Sequence, residues 1–547
     1  MRELLLLLLL LALTACGDQT WPDVDHGDDG PGTVVDPPET IALGERLPAL
    51  RFDGVDADGQ EASLSLADFA ADEGLLLVTV HGGLWCGTCQ VAAKGPVEES
   101  LRDLPIARLE LVVADRDNTP AIAADAAHWQ ATFGRAVAVG ADPEHRLTAL
   151  LPGSQLPLFV VVERAGLVAR DALANPSPAE LRAALGAPVA EEPLVDGFFR
   201  PHEWALLQGI TVPGAPPRDP SNAVADDPAA VALGRALFFD AGLSPSGTIA
   251  CASCHQPEQA LSDGQPVAMG LALGDRRTPS IALAAHARWQ FWDGRADGLW
   301  AQALAPFENP AEMGSSRAFV AARVLDHHAA AYHAAFPDAP DLDDPTTPDA
   351  LTRTFVNVGK AIAAWERSLR VMPNRFDAYL AGDLDALDED EKYGLLAFTQ
   401  NGCMQCHWGP RLTDDAFHNL RLPTGRKDGA PDRGRVDGLA AYAESPFRSD
   451  GPWSDAPEAR TARSHEAQLG QFKTPPLRGV ADLAYFGHGG SFGHLSEVMV
   501  AYGWGAFAEL TDDSIGEREP WLGSFGETEQ WGLVPFLRVL TAAPRRD

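Results

Sequence analysis

The chain has 547 residues and a formal net charge of −35, because 77 Asp and Glu face 42 Lys and Arg. A chain of this length can form several domains and a large buried core. The excess of negative charge argues strongly against a nucleic-acid partner, since a phosphate backbone would be repelled.

Residues 1–16 have the pattern of a targeting segment. Arg2 supplies a positive charge, and the apolar run Leu4–Leu13 is too short to remain as a membrane span. The end of the run, Leu13-Thr14-Ala15-Cys16, resembles a bacterial lipobox, which implies a lipoprotein signal peptide with lipidation of Cys16. An ordinary secretory signal is the alternative. Either signal exports the protein, so we expect it in the bacterial periplasm or cell envelope, held to a membrane by the lipid anchor only.

An α/β unit is predicted next along the chain. Residues 17–40 are rich in Asp, Gly and Pro and predict a disordered acidic linker. The apolar run Leu75–Val80 predicts a buried strand that leads into Trp85-Cys86-Gly87-Thr88-Cys89. Later runs predict two more strands and two helical segments: 90–104 (helical), 108–114 and 158–163 (strands), and 177–185 (helical). A strand followed by C-x-x-C at a helix start is a thioredoxin-like order.

Residues 41–188 resemble a thioredoxin-like domain, with Cys86 and Cys89 at the active-site positions. Leu156-Pro157 stands at the position of the family's cis-proline. The resemblance makes Cys86 the nucleophile, because a helix N-terminus lowers a thiol pKa, and Cys89 the resolving residue. Thr88 replaces the usual Pro, which alters the redox potential in a direction that the sequence does not give. An idle pair in a retained fold is the alternative.

Two C-x-x-C-H runs carry the strongest chemical signal: Cys251-Ala-Ser-Cys254-His255 and Cys403-Met-Gln-Cys406-His407. The pattern is typical of haem c attachment, in which two thiols add to the vinyl groups and the His coordinates iron. Zinc or disulfide use of C-x-x-C does not explain why His follows both times. The sequence therefore predicts two covalently bound haem c groups, with His255 and His407 as proximal ligands.

The remainder of the chain is predicted to be mainly helical. A Pro-rich, acidic linker at 189–227 precedes two cytochrome c-type domains, at 228–385 and 386–547. The main helices are predicted at 228–240, 352–371, 388–400 and 528–541. The predicted fold class is therefore multidomain: an α/β thioredoxin-like domain followed by two mainly α cytochrome c-type haem domains.

Residues from about 213 to 545 resemble the bacterial di-haem cytochrome c peroxidase family, which includes the MauG-like proteins. The resemblance rests on landmarks in order, including Leu233-Gly-Arg-Ala-Leu-Phe-Phe239, Phe291-Trp-Asp-Gly-Arg-Ala296, Asn309-Pro-Ala-Glu-Met313 and Phe472-Lys-Thr-Pro475. It implies a peroxidatic haem at His255, an electron-transfer haem at His407, and four functional side chains. These are Glu312 as the acid–base residue, Gln302 and Pro306 in the same pocket, and Trp292 as an electron relay between the haems.

The sequence differs from many peroxidases of the family on the distal side of both haems. Many peroxidases of the family carry a distal His after the first haem motif, but Gln256–Ala285 contains none. The haem at His255 is therefore expected to be five-coordinate or water-bound without reductive activation. At the second haem the distal position falls on Tyr502, as in MauG-like members, where an anionic oxygen stabilises ferric iron. Met499, about one helical turn earlier, is the alternative ligand.

The family's calcium site is a further departure. The family holds calcium between the haem domains with an Asn, and Arg277 stands at that position, with Leu483 and Tyr485 at the carbonyl positions. A guanidinium cannot ligate a cation, which puts calcium in doubt and suggests that Arg277 supplies the charge instead.

These inferences predict an exported oxidoreductase of the cytochrome c peroxidase type. It would reduce hydrogen peroxide with electrons from a small redox protein, a cytochrome c or a cupredoxin. Three alternatives stay open: a MauG-like oxidase that modifies a protein substrate, a non-catalytic electron carrier, and a thiol-disulfide oxidoreductase with accessory haems.

Overall fold

The computed structural model describes residues 40–541, apart from gaps at 152–154, 191, 341, 343–348, 425–429, 459–461, 505–513 and 520–526. The predicted signal peptide with Cys16, and all but the last residue of the predicted disordered linker, lie outside the described residues. In the part of the chain that is described, no helix combines the length and the apolar character needed to cross a membrane.

A seven-stranded sheet forms the centre of the N-terminal domain, in the order β2-β1-β5-β4-β3-β6-β7. The strands are β1 (Arg51–Val55), β2 (Glu61–Ser65), β3 (Leu75–His81), β4 (Ala107–Val112), β5 (Ala138–Ala141), β6 (Leu158–Glu163) and β7 (Val168–Ala174). Strand β3 is parallel to β4 and antiparallel to β6, which is antiparallel to β7. Because helices cover both faces, β3 is almost continuously apolar and buried.

Five helices belong to this sheet: α1 (Gly87–Lys94), α2 (Pro96–Glu99), α3 (Ala123–Phe133), α4 (Arg146–Leu150) and α5 (Pro178–Ala184). In the unit β3-α1-β4, followed by β6-β7-α5, the C-x-x-C lies after β3 at the start of α1. The peptide Leu156-Pro157 is cis. The domain therefore has the predicted thioredoxin-like fold. The predicted helical segment 90–104 differs, because Gly95 is extended and Pro96 starts a separate helix.

The rest of the described chain is mainly helical, as predicted. Its helices are α6 (Pro201–Leu207), α7 (Pro228–Phe238), α8 (Cys251–Cys254), α9 (Leu299–Glu308), α10 (Arg317–Ala335), α11 (Ala350–Ser368), α12 (Arg375–Leu380), α13 (Glu389–Gln400), α14 (Arg435–Glu444), α15 (Leu495–Trp504) and α16 (Glu527–Val539). Strands β8 (Phe417–His418) and β9 (Phe472–Lys473) pair in antiparallel fashion as a two-stranded ribbon. The four helices predicted from the sequence correspond to α7, α11, α13 and α16, with ends shifted by a few residues.

Two apolar cores support the haem motifs. In the first, α7 crosses α11 so closely that a Cβ on Gly234 would clash with the backbone of Ala361. In the second, α13 packs on α16, and a Cβ on Gly394 would lie 2.9 Å from the Cβ of Phe536. Only glycine permits such close approaches. Cys251 packs against the first core and Cys403 against the second, so each core supports one C-x-x-C-H run.

The span 189–227 contains a packed element. Helix α6 lies within it, and its Leu206 and Leu207 are buried in the core of the C-terminal haem region together with Phe199 and Ile210. This segment therefore contributes to that core, while the domain boundaries themselves stay predictions.

The thioredoxin-like domain packs directly against the C-terminal haem region. The side-chain amide of Asn118 donates to the carbonyl of Phe417 at 3.0 Å and to the carboxylate of Glu519 at 2.9 Å. Arg463 forms ion pairs of 2.8 Å with Asp115 and Asp125. These contacts attach the segment after β4 to the C-terminal haem region.

Candidate active site

The first cavity is defined by Cys254, His255, Gln302, Pro306 and Glu312, all of which line it. Its empty volume, including space open to solvent, is about 1770 Å³. Helix α8 forms a single turn from Cys251 to Cys254, and its last residue lines the cavity together with the following His255. The structure thus brings together the residues that the first haem motif and the family resemblance predicted.

Both proximal histidines have the same hydrogen-bond arrangement. Nδ1 of His255 lies 3.0 Å from the carbonyl of Leu261, and Nδ1 of His407 lies 3.0 Å from the carbonyl of Leu412. A carbonyl only accepts, so Nδ1 must carry the proton and Nε2 keeps its lone pair. Desolvation lowers the pKa of both rings and keeps them neutral. This is the arrangement that an axial imidazole ligand requires.

Glu312 is held at the edge of the first cavity. Pro306 lies inside α9 and removes one helical hydrogen bond, and the N–H of Met313 then bonds back to the Pro306 carbonyl at 3.2 Å. This fold-back places Glu312 on the lining, where the side chain of Asn309 donates to its carboxylate at 2.9 Å. Desolvation raises the pKa of Glu312, against an opposing effect of Arg295 and Asn309. A carboxyl so placed can exchange protons at a higher pH than an exposed Glu.

The described lining of the first cavity offers no second imidazole opposite His255. Among the described residues that line it, His255 is the only histidine. Met269, in the loop after the first haem motif, is 52 % exposed and is not part of the lining.

The second cavity is defined by Cys403, Cys406, His407, Met499 and Tyr502, and its empty volume is about 1700 Å³. Met499 and Tyr502 are three residues apart on α15, so they share the face that lines the cavity. The geometry therefore presents both candidate ligands without choosing between them. Desolvation raises the pKa of the Tyr502 phenol, so ionisation would need a cation beside it.

Histidines near the second cavity differ in placement. His488 lines it and stacks on Phe472 with ring centroids 3.6 Å apart, whereas His494 is exposed.

Trp292 lines both cavities and is buried. Its indole N–H donates to the carbonyl of Arg277 at 2.9 Å, and its own carbonyl accepts from the N–H of Lys473 at 2.8 Å. The Arg277 guanidinium lies 5.3 Å from the ring centroid. The indole is thus fixed in the wall that the two cavities share.

Arg277 occupies the place considered for calcium. Its Nε donates to the carbonyl of Gly487 at 3.3 Å and its backbone N–H to the carbonyl of His488 at 2.8 Å. Burial lowers its pKa to about 10, which still leaves it cationic at neutral pH. The side chain therefore brings a positive charge to the segment that follows Leu483 and Tyr485.

Two residues near the cavities were not assigned a role from the sequence. Arg276 pairs with Asp293 at 2.6 Å and Asp432 at 2.7 Å, which ties the two haem regions together beside Trp292. Lys473 lines both cavities and donates to the carbonyl of Trp289 at 2.7 Å, and burial lowers its pKa to about 7. Lys473 belongs to the landmark segment Phe472–Pro475, and Arg276 directly precedes Arg277. Their proximity to these predicted features is the sequence signal that could have indicated a role.

The residues of both cavities fit a haem. Cys254 and His255 line the first cavity, and Cys403, Cys406 and His407 line the second. In both histidines Nδ1 bonds to a backbone carbonyl, which leaves Nε2 as the lone-pair nitrogen. The lining of the second cavity is largely apolar, including Phe398, Leu477, Val498 and Leu537, as a macrocycle requires.

Cys86 and Cys89 are joined as a disulfide and lie apart from the first cavity. Cys86 is the N-cap of α1, as predicted for a thioredoxin-like site, and the Thr88 hydroxyl donates to the carbonyl of Leu156 at 3.0 Å. Neither cysteine has any exposed surface.

Similarity to known proteins assigns the haem region to a family. Residues 228–385 match the family described as di-haem cytochrome c peroxidase. The chain is 34% identical over 320 residues to the methylamine utilization protein MauG of Methylorubrum extorquens, which covers 58% of this chain and 79% of that protein. The chain belongs to the di-haem cytochrome c peroxidase and MauG family.

The chain is also similar to a second curated protein and to a solved structure. The chain is 31% identical over 275 residues to the cytochrome c551 peroxidase of Pseudomonas aeruginosa, over 50% of this chain and 70% of that protein. The di-haem peroxidase BthA of Burkholderia thailandensis is 23% identical, with a TM-score of 0.48, over 60% of this chain and 94% of that chain. As a member of this family the protein is an oxidoreductase, and the family implies haem c as its cofactor.

Proposed function

We propose that this di-haem family member is an exported peroxidase that reduces hydrogen peroxide with electrons from a small redox protein. The observation that carries the proposal is the difference between the two cavities. Glu312 lies in the first cavity, where the described lining offers no second imidazole opposite His255. The second cavity presents Met499 and Tyr502 as candidates to close the far side of the iron. One site is thus suited to a small substrate and the other to electron transfer.

Two haem c groups would be held by thioethers from Cys251 and Cys254 and from Cys403 and Cys406. When bound, they supply iron for O–O cleavage and for electron exchange. The protein would supply His255 and His407 as proximal ligands. Their Nδ1–H groups donate to backbone carbonyls, which fixes the tautomer that leaves Nε2 for iron.

Glu312 would move the proton that O–O cleavage requires. Reduction of hydrogen peroxide takes two electrons and two protons and yields two water molecules. The carboxylate accepts a proton from one peroxide oxygen and returns it to the other, which becomes the leaving water. Asn309 fixes the carboxylate, and Gln302 and Pro306 restrict the space beside it. A raised pKa favours proton return under neutral conditions.

Trp292 would carry electrons between the two sites. It lies in the wall common to both cavities, and hydrogen bonds at its indole nitrogen and its carbonyl hold it there. A small cytochrome c or cupredoxin would deliver electrons at the second haem. With a net charge of −35, the chain favours a donor with a basic docking face.

A MauG-like oxidase is the second candidate function, and Tyr502 is the observation that favours it. Tyr502 lines the second cavity at the position where MauG-like members carry Tyr. In this version the electrons come from side chains of a protein substrate.

We also propose that the protein is a lipoprotein of the bacterial envelope, anchored through Cys16. The apolar run and the lipobox-like sequence support this. Mass spectrometry of the mature N-terminus tests it: a diacylglyceryl group on Cys16 is expected, and an unmodified N-terminus at another residue would contradict it.

Steady-state turnover tests the proposed peroxidase. The purified holoprotein is mixed with hydrogen peroxide and a reduced basic cytochrome c or cupredoxin, and donor oxidation is followed by absorbance. Two donor molecules oxidised per peroxide are expected. Peroxide consumption without turnover of any small donor, together with oxidation of a partner's side chains, would instead establish the MauG-like function.

A further inference from the structure

The Cys86–Cys89 pair is enclosed at the junction between the thioredoxin-like domain and the second haem motif. Trp85 packs edge-on against His418, with ring centroids 4.8 Å apart. A Cβ placed on Gly87 would lie 2.5 Å from the Cβ of Trp408, the residue directly after the proximal His407. Two side chains of the haem region therefore cover the surface around the C-x-x-C.

Trp408 is itself fixed in this position. Its indole N–H donates to the carbonyl of Leu206 at 2.8 Å, and its ring lies against Gly209 closely enough to exclude any side chain there. Glycine on both sides lets the indole lie between α1 and the segment after α6.

Cys406 connects the two parts of the molecule. It lines the second cavity, and it also packs against the apolar core of the thioredoxin-like domain, which contains Trp85, Cys86 and Cys89. The Cys406 sulfur lies within 4.8 Å of a ring nitrogen of His418, the residue that contacts Trp85. A thioether at Cys406 would thus attach the macrocycle to a residue that packs against the core containing the disulfide.

The burial of the pair restricts its chemistry. Thiol–disulfide exchange requires a thiolate to approach one sulfur along the S–S axis, and both sulfurs here belong to residues with no exposed surface. Reactive cysteines that serve external substrates are normally at least partly exposed. A protein substrate could not reach this pair, whereas the second haem site is its direct neighbour.

We propose that Cys86 and Cys89 form an internal two-electron store that exchanges electrons with the C-terminal haem. Reduction breaks the S–S bond, takes up two electrons and two protons, and forms two S–H bonds. The small redox protein of the proposed function supplies these electrons singly, through the second haem site. On oxidation the same bonds reverse, and hydrogen peroxide accepts the two electrons and two protons to give two water molecules.

Counting electrons in the holoprotein tests the store without using peroxide. The ferric protein is reduced anaerobically at a controlled potential with a viologen mediator, and the charge taken up is recorded with the haem spectra. Four electrons per chain are expected, two for the haems and two for the disulfide. The variant Cys86→Ser/Cys89→Ser should take up two, with unchanged haem spectra before reduction.

Thiol mapping provides a second readout that needs no variant. Reduced wild-type protein is unfolded in iodoacetamide, and peptides are examined for alkylation at Cys86 and Cys89, which is expected at both. An uptake of two electrons with the 86–89 disulfide intact would overturn the proposal and make the bridge structural.

Access from solvent is tested separately on the native ferric protein. Tris(2-carboxyethyl)phosphine should leave the disulfide intact in the folded protein and reduce it after unfolding in urea. Rapid reduction in the folded protein would overturn the enclosure on which the proposal rests. The physiological donor and the final reoxidation by peroxide depend on the proposed function, whereas the electron count with a viologen mediator does not. Failure of peroxide to reoxidise the haems would therefore contradict the peroxidase while leaving the electron count valid.

Discussion

The indole N–H of Trp292 donates to the backbone carbonyl of Arg277 at 2.9 Å, in the wall that separates the two haem cavities. The guanidinium of Arg277 lies over the Trp292 ring, 5.3 Å from its centroid, and donates to the carbonyl of Gly487. One arginine therefore fixes the residue between the cavities and also contacts the segment on the far side of the second one.

Replacement of Trp292 by Phe tests the relay. Phe keeps most of the packing but removes the indole and its hydrogen bond, so electron transfer between the haems should slow at least about tenfold, equivalent to roughly 1.4 kcal/mol of barrier. Steady-state turnover with a reduced small donor measures this. The control is Trp453→Phe, a half-buried indole outside both cavity linings. Equal turnover in both variants would remove Trp292 from the path.

Replacement of Glu312 by Gln should lower the rate of reaction with peroxide by about 100-fold or more, the usual range for loss of a general acid–base residue. Gln keeps the size and the contact with Asn309 but cannot move a proton. Glu308→Gln is the matched control, since Glu308 lies on α9 and pairs with Arg317 at 2.9 Å, away from the cavity lining. A rate within twofold of wild type for Glu312→Gln would contradict the assigned role.

The pH dependence of the peroxide reaction follows from the raised pKa of Glu312. The carboxylate form accepts the first proton, so the rate is full above the folded-state pKa and falls as pH drops through it. Because desolvation raises that pKa above 4.5, the acid limb should lie at a higher pH than for an exposed Glu. Rapid-mixing rates between pH 4 and 8 locate it. An acid limb that persists unchanged in Glu312→Gln would assign it to another group.

Single substitutions on α15 distinguish Tyr502 from Met499 as the ligand of the second iron. If Tyr502 closes the second iron, Tyr502→Phe should change the electron paramagnetic resonance spectrum of that haem and raise its midpoint potential, since an anionic oxygen ligand favours ferric iron. Met499→Leu, which nearly conserves volume, should leave both unchanged. The reverse pattern would make Met499 the ligand.

Calcium removal tests the interpretation of Arg277. Because a guanidinium occupies the position, a calcium chelator should leave the apparent Tm of the wild type unchanged. Arg277→Asn restores the family's ligand type, and calcium at 100 times its Kd should then stabilise that variant by about 2.7 kcal/mol. A wild-type Tm that falls with chelator would show that the ion is bound despite Arg277.

Local patterns predicted much of this molecule. The haem cysteines, the helices α7, α11, α13 and α16 and the thioredoxin-like order depend on residues close together in sequence, where spacing and periodicity carry the information. The grouping of Glu312 with Gln302 and Pro306 came from family spacing, and the structure places all three on one lining.

Other features depend on contacts between distant segments. The enclosure of Cys86 requires Trp408 against Gly87, and no local pattern around either residue indicates the other. Likewise, the partner of Arg277 is a backbone carbonyl at Gly487, which carries no signal in its residue type. The choice between Met499 and Tyr502 is open in both sequence and fold, because helical spacing puts both on one face.

The central claim is that the first haem site reacts with peroxide because its far side is open. Rapid mixing of the fully oxidised holoprotein with one equivalent of hydrogen peroxide, followed by absorbance, tests it most directly. A haem spectral change within milliseconds, without prior reduction and strongly slowed in Glu312→Gln, is the predicted result. No change until one haem has first been reduced would show that a protein ligand closes the site, and would contradict the account.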